Sequence, residues 1–214
     1  ERFDRTQPVA VTTCDILPTA AEFSDLLETG YDPQNDCQFW WQIIAAEPEE
    51  LGASEWKPNY VLQPAPGAAL QTVYPGHLVI LRPEALRLEL LNRLLVVAYR
   101  YRNRPLHKRF LPMLFRGLGL LMRQDLENLG RLQLPILTCS IPWHILRAYL
   151  GIRNRTLSLS EFERHLARTV VHRRFRSGRK PFAITISRSL SFAKDIDTLA
   201  ELQEVVAAQS PVVP

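Results

Sequence analysis

Cysteine, lysine and long apolar runs are scarce in this chain. Its three cysteines, Cys14, Cys37 and Cys139, are isolated and odd in number. They offer neither a disulfide framework nor zinc-ligand spacing. A reducing, cytoplasmic setting is the expectation. The longest uncharged stretch of the central basic region, Leu132–Leu146, has 15 residues and contains Pro135, Pro142 and His144. It is too short for a transmembrane helix. No basic segment followed by an apolar run opens the chain, so no signal peptide is visible. Nine glycines and sixteen prolines follow no period, which excludes a collagen-like array. Neither an internal repeat nor a linker divides the sequence. The expectation is a single α/β domain over residues 1–214.

What is present is an ordinary globular composition, 46% hydrophobic and 22% charged. The charge is unevenly placed. Residues 1–80 carry 12 acidic and 3 basic side chains, whereas residues 81–214 carry 10 acidic and 23 basic ones. Arginine outnumbers lysine 22 to 4. That preference suits bidentate binding of phosphate or carboxylate. A GC-rich gene would give the same bias.

The first thirty residues read as strand, acidic turn and helix. Pro8–Thr13 is a short β-branched strand expected to be buried. Asp15 follows, and Thr19-x-x-Glu22 opens a helix that Gly30 closes. This is the grammar of a parallel sheet with ligands at the carboxyl ends of its strands. Gln38–Ala46 and Asn59–Gln63 read as strands, and Ala65–Ala69 as a turn. Thr72–Tyr74, Pro75-Gly76 and His77–Leu81 read as a turn leading into an apolar strand. Pro83 starts a long helix, about Glu84–Tyr101. A mostly helical, Arg/Leu-rich insertion is expected over 105–171, with a kink near Pro112. Within it lie a shorter helix at Ile141–Leu150 and one opened by Ser160-x-x-Glu163. Phe182–Ser187 is a strand. Thr198-x-x-Glu201 caps a final helix, about Leu199–Ala208.

Two segments put a carboxylate just before a helix: Val9-Ala-Val-Thr-Thr-Cys-Asp15-Ile-Leu-Pro18 and Lys194-Asp195-Ile-Asp197-Thr-Leu-Ala-Glu-Leu202. Paired carboxylates suit a hard cation such as Mg²⁺. An aspartate after a strand is also a common cap or turn residue. On spacing alone the cap is the commoner outcome.

The first segment resembles the strand-end aspartate motif of the MobA-like nucleotidyltransferases, within the GT-A nucleotide-diphospho-sugar transferase fold. The second resembles their closing D-[IV]-D-T-x-x-D-L segment, with Glu201 in place of the last aspartate. Lys57–Leu62, Pro75-Gly76-His77-Leu78 and Arg102-Asn103-Arg104-Pro105 resemble a subgroup's R-T-Y-V, G-G-N-L and R-K-N-P stretches. His77 stands where asparagine is usual. These matches fall in order along nearly the whole chain.

The resemblance implies a partial Rossmann-like GT-A sheet flanked by helices. It implies an enzyme that binds an NTP with Mg²⁺ and transfers the NMP to a small anionic acceptor, releasing pyrophosphate. Asp15 would be one metal ligand, and Asp195 or Asp197 the other. Gly76 would let backbone approach the acceptor, with His77 beside it. Lys57, Arg102 and Arg104 would hold acceptor or triphosphate. The family opens with a glycine-rich loop, roughly L-x-A-G-G-x-x-x-R-x-G-x-x-K, that holds the nucleotide phosphates. This chain begins at Glu1, at about the family's fourth strand, and has no such loop. It resembles the C-terminal portion of a longer domain and is expected to be inactive alone. The alternative is a non-catalytic homologue whose basic half binds an anionic partner, be it a nucleotide, nucleic acid or a membrane surface.

Two basic clusters follow, one from Arg100 to Arg109 with Tyr99 and Tyr101 interleaved, the other from His172 to Lys180. Such interleaving can bind nucleic acid, but solvated helix ends and loops are the commoner source, and no nucleic-acid motif accompanies the charge. The apolar, Arg-studded stretch 105–150 reads as packed on the sheet, with a homo-oligomer contact, ahead of a membrane-surface element carrying Trp143. His107, His144, His165 and His172 lack zinc spacing. Cys14 lacks a base that would make it a nucleophile.

Overall fold

The computed structural model describes residues 4–13, 16, 18–31, 37–51, 59–101, 106–130, 134–193 and 203. Five strands form one mixed sheet: β1 (Val9–Thr12), β2 (Phe39–Ala45), β3 (Tyr60–Leu62), β4 (Gln71–Leu81) and β5 (Ala183–Ser187). The order is β1-β4-β2-β5, with β3 paired to the other end of β4's outer side. β2 and β5 run parallel, and β4 runs antiparallel to β1, β2 and β3. The expected parallel grammar therefore holds for the directions of β1, β2 and β5. The reversed β4 sits between β1 and β2. α1 (Ala20–Thr29) follows β1, and α2 (Leu88–Tyr101), α3 (Leu106–Gly130), α4 (Leu137–Arg153) and α5 (Leu159–Val170) lie between β4 and β5.

Both sheet faces are covered. On one, Trp40, Ile44, Tyr74 and Leu78 pack with Leu26 of α1 and with Phe192. On the other, Ile43, Leu62, Val73 and Ile184 pack with Phe162 and Ala167 of α5. Each such large apolar side chain removed from water contributes about 1.5–3 kcal/mol. Helices α2, α3 and α4 share a smaller cluster of Leu90, Leu121, Leu137 and Ile141.

Several local expectations change. β1 is an exposed edge rather than a buried strand: Ala10, Val11 and Thr12 are all exposed. It pairs with β4 on one side, and no described strand covers the other. Pro75-Gly76 is not a turn but part of the continuous β4. Between the Trp41–Val79 and Ile43–Pro75 pairs, β4 places three residues opposite the single Gln42, an enlarged bulge. A Cβ on Gly76 would lie 2.6 Å from the Gln42 carbonyl oxygen, so only glycine fits that approach.

The expected helix at Glu84 begins at Leu88 instead. Pro83–Ala85 is a 3₁₀ turn, and Leu86 forms a bridge with Val171. There the Arg87 N–H donates to the Val170 carbonyl at 3.1 Å and the His172 N–H to that of Ala85 at 2.8 Å. The capping box of α5 is Ser158–Glu161, not Ser160–Glu163. Glu163 instead accepts from the Ile184 N–H at 2.8 Å and from Lys180 Nζ at 3.0 Å, tying α5 to the β5 edge. α3 runs unbroken through Pro112, and α4 is longer than expected. The expected C-terminal helix lies outside the described residues except for Gln203, which is helical.

Candidate functional site

Asp15, Lys57, Arg102, Arg104, Asp195 and Asp197 lie outside the described residues. What is described is the framework on either side of the aspartates. Ile16, next in sequence to Asp15, is 6% exposed in the cluster beneath α1. Phe192 and Ala193, the last described residues before Asp195, are fully buried in the same cluster. The chain leaving β5 thus returns over the α1 face of the sheet, and the 3₁₀ turn Leu190–Phe192 packs on β4.

A carboxylate fastens these segments together. One oxygen of Glu22 accepts from the Thr19 N–H and hydroxyl, both at 2.8 Å, completing the capping box of α1. Its other oxygen accepts from the Ser191 hydroxyl at 2.8 Å and the Ser189 hydroxyl at 3.3 Å. Partial burial pushes the Glu22 carboxyl up, but the hydrogen bonds from Thr19, Ser191 and Ser189 together outweigh it and hold it below its ordinary value. The far end of α1 is fixed to the sheet. The Gly30 carbonyl accepts from Trp40 Nε1 at 3.0 Å and from the Thr185 hydroxyl at 2.7 Å.

Gly76 and His77 both lie in β4. The Gly76 carbonyl accepts from Trp41 Nε1 at 3.1 Å, and its missing side chain makes room for the backbone of Gln42. His77 is half-buried within the bulge. Among the described residues no three His, Cys, Asp or Glu side chains group to hold a metal ion.

A second feature is a cleft of about 830 Å³ where α2 and α3 meet the chain after α5. Arg5, Arg87, His172, Arg173 and Arg174 line it, against the single carboxylate of Glu89. Arg87 is buried and donates to the carbonyls of Arg168 (3.0 Å) and Thr169 (2.7 Å), capping the C-terminal end of α5. Arg176 caps the same end through the carbonyls of Arg168 and Val171, each at 2.8 Å. Burial, then the repulsion of Arg87, Arg168 and Arg173, pull Arg176 down to about 10. Arg173, Arg174 and Arg176 belong to one basic run of the sequence, the Leu86–Val171 bridge sets Arg87 beside it, and the Glu84 N–H holds the Arg5 carbonyl at 3.1 Å.

No family model matches the chain, and no curated protein is found to match it. Among solved structures it is similar to one described as a hypothetical transferase from Thermus thermophilus, at 19% identity and a TM-score of 0.50. The likeness covers 91% of this chain and 63% of that one, so the chain spans less than two thirds of its neighbour's length. At this identity the likeness concerns the fold.

Proposed function

We propose that this chain belongs to a Mg²⁺-dependent nucleotidyltransferase, a transferase that moves NMP from an NTP to a small anionic acceptor and releases pyrophosphate. One observation carries the proposal. The residue after Asp15 and the residues just before Asp195 share one buried cluster, and Glu22 holds their segments together. In sequence, Asp15 stands one residue from that cluster and Asp195 two. Paired carboxylates are the donor set that Mg²⁺ prefers. Asp15, with Asp195 or Asp197, would hold the ion, which neutralises phosphate charge when bound. Lys57, Arg102 and Arg104 would hold the acceptor or the triphosphate. Gly76 and His77 are the proposed acceptor side. Catalysis would then rest on positioning and charge neutralisation.

The test is pyrophosphate release by the protein expressed from its longest reading frame, with the four NTPs and a panel of phosphorylated acceptors. Release should require Mg²⁺, and Asp15→Ala should lower it about a hundredfold or more. Release that persists without divalent cation, or in Asp15→Ala, removes the metal site. No release with any NTP removes the enzyme.

The basic cleft favours a second reading, a non-catalytic homologue that binds an anionic partner there. Calorimetric binding of nucleotide without turnover, abolished by Arg173→Ala/Arg174→Ala, would select it.

A further inference from the structure

Helices α3 and α4 each have two apolar sides, and only one of them is packed. On α3, Leu111, Phe115, Leu118, Met122, Leu126 and Leu129 follow at spacings of four, three, four, four and three, which aligns them on one side. All but the half-buried Leu118 are exposed, up to 68% at Leu126. On α4, Trp143, Leu146 and Leu150 form a similar row, flanked by Ile145 and Tyr149, and even Leu150 is 38% exposed. The buried members of these helices, Leu121, Leu137 and Ile141, serve the inner cluster. Ten large apolar side chains exposed on two successive helices are more than the scattered single ones normal for a protein surface.

Charge selects what covers it. From Leu106 to Arg153, over α3 and α4, the sequence holds seven Arg or Lys and two acidic residues. Both acids are engaged. Glu127 pairs with Arg123 at 3.2 Å. Asp125 is buried and accepts from the first N–H groups of α4. A second copy docking through the same face would bring like charges together. An anionic lipid surface complements them. The Arg147 guanidinium lies 5.7 Å from the centre of the Trp143 ring, an aromatic–cation pair suited to the boundary between acyl chains and phosphates. No helix among the described residues is long and apolar enough to cross a membrane.

We propose that α3 and α4 form a docking face for an anionic lipid surface. The helices lie in the interfacial plane, their outer leucines and aromatics among the acyl chains and their arginines on the phosphates. This goes beyond the transferase proposal and stands without it.

The test is co-sedimentation of the chain with phosphatidylcholine vesicles and with vesicles containing about one third phosphatidylglycerol. Binding to the anionic vesicles should be at least tenfold tighter and should weaken with salt. Phe115→Glu/Leu126→Glu should cut it at least tenfold with circular dichroism unchanged. Trp143→Glu on α4 should do the same and serves if the first pair does not fold. Arg116→Glu/Arg123→Glu should remove the preference for anionic vesicles. Equal binding to both vesicles overturns the charge assignment. Failure to bind either overturns the proposal, as does a dimer that Phe115→Glu/Leu126→Glu dissolves while vesicles remain unbound.

Discussion

Asp125 lies near the end of one helix and starts the next. Its carboxylate accepts from the Leu137 N–H at 2.9 Å and from the Thr138 N–H and hydroxyl at 2.7 and 2.6 Å. These donors have no partner within α4, and the helix dipole favours an anion there. The cap comes from 12 residues upstream, so no local motif announces it. That is why the sequence suggests a start at Ile141 and the structure a start at Leu137. Glu22 is the converse. Thr19-x-x-Glu22 predicts its role at the start of α1, but its second oxygen serves Ser189 and Ser191, some 170 residues away. Asp125→Ala would leave buried donors unsatisfied and cost about 1–3 kcal/mol. Asp125→Asn keeps an acceptor and should cost less. Urea denaturation checks both, and an unchanged midpoint in Asp125→Ala would exclude the cap as a source of stability.

Between elements, the packing of α4 on α5 carries a pH dependence. His144 Nδ1 and His165 Nδ1 are 3.0 Å apart across the two helices. One ring must donate and the other accept, so the contact requires at least one neutral histidine. Burial lowers His144 below its ordinary value, aided by His165, Arg168, Arg176 and Arg164. Burial lowers His165 as well, aided by Arg164 and Arg147 and opposed by Glu161. The unfolded chain therefore binds more protons between the folded values and about 6.5. The stability that the neutral pair provides is present above pH 6.5 and is lost as pH falls through the folded values. The urea midpoint should drop between pH 7.5 and pH 5.5. His144→Gln/His165→Gln should flatten that drop without abolishing it, because burial and nearby Arg87 lower His172 too. A double variant with the native pH profile would rule out the pair as its source.

Across the whole molecule, legibility followed range. Strands β2, β3 and β5 and the first helix were readable because β-branched runs, aromatics and a local capping box mark them. The β4 bulge was not, since Pro75-Gly76 signals a turn just as well as a bulge, and only the neighbouring Gln42 decides between them. Asp15, Asp195 and Asp197 lie outside the described residues. Of the basic cleft, the run from His172 to Lys180 was readable, whereas Arg87 joins it through the Leu86–Val171 bridge. Stability is distributed with the same unevenness. The sheet is buried on both faces by two extended clusters, while α2 and α3 join it through the short cluster at Leu90, Leu121, Leu137 and Ile141. Few buried contacts mean a low free energy of local opening. Hydrogen exchange should therefore be fastest, among the regular elements, in α2 and α3 and slowest in β2 and β4. Loss of α2–α3 protection should precede global unfolding as urea rises, with α5 following the sheet because Phe162, Ala167 and Glu163 bind it there. Exchange that collapses in all elements at one urea concentration would mean that the small cluster couples the helices to the sheet as tightly as the core itself.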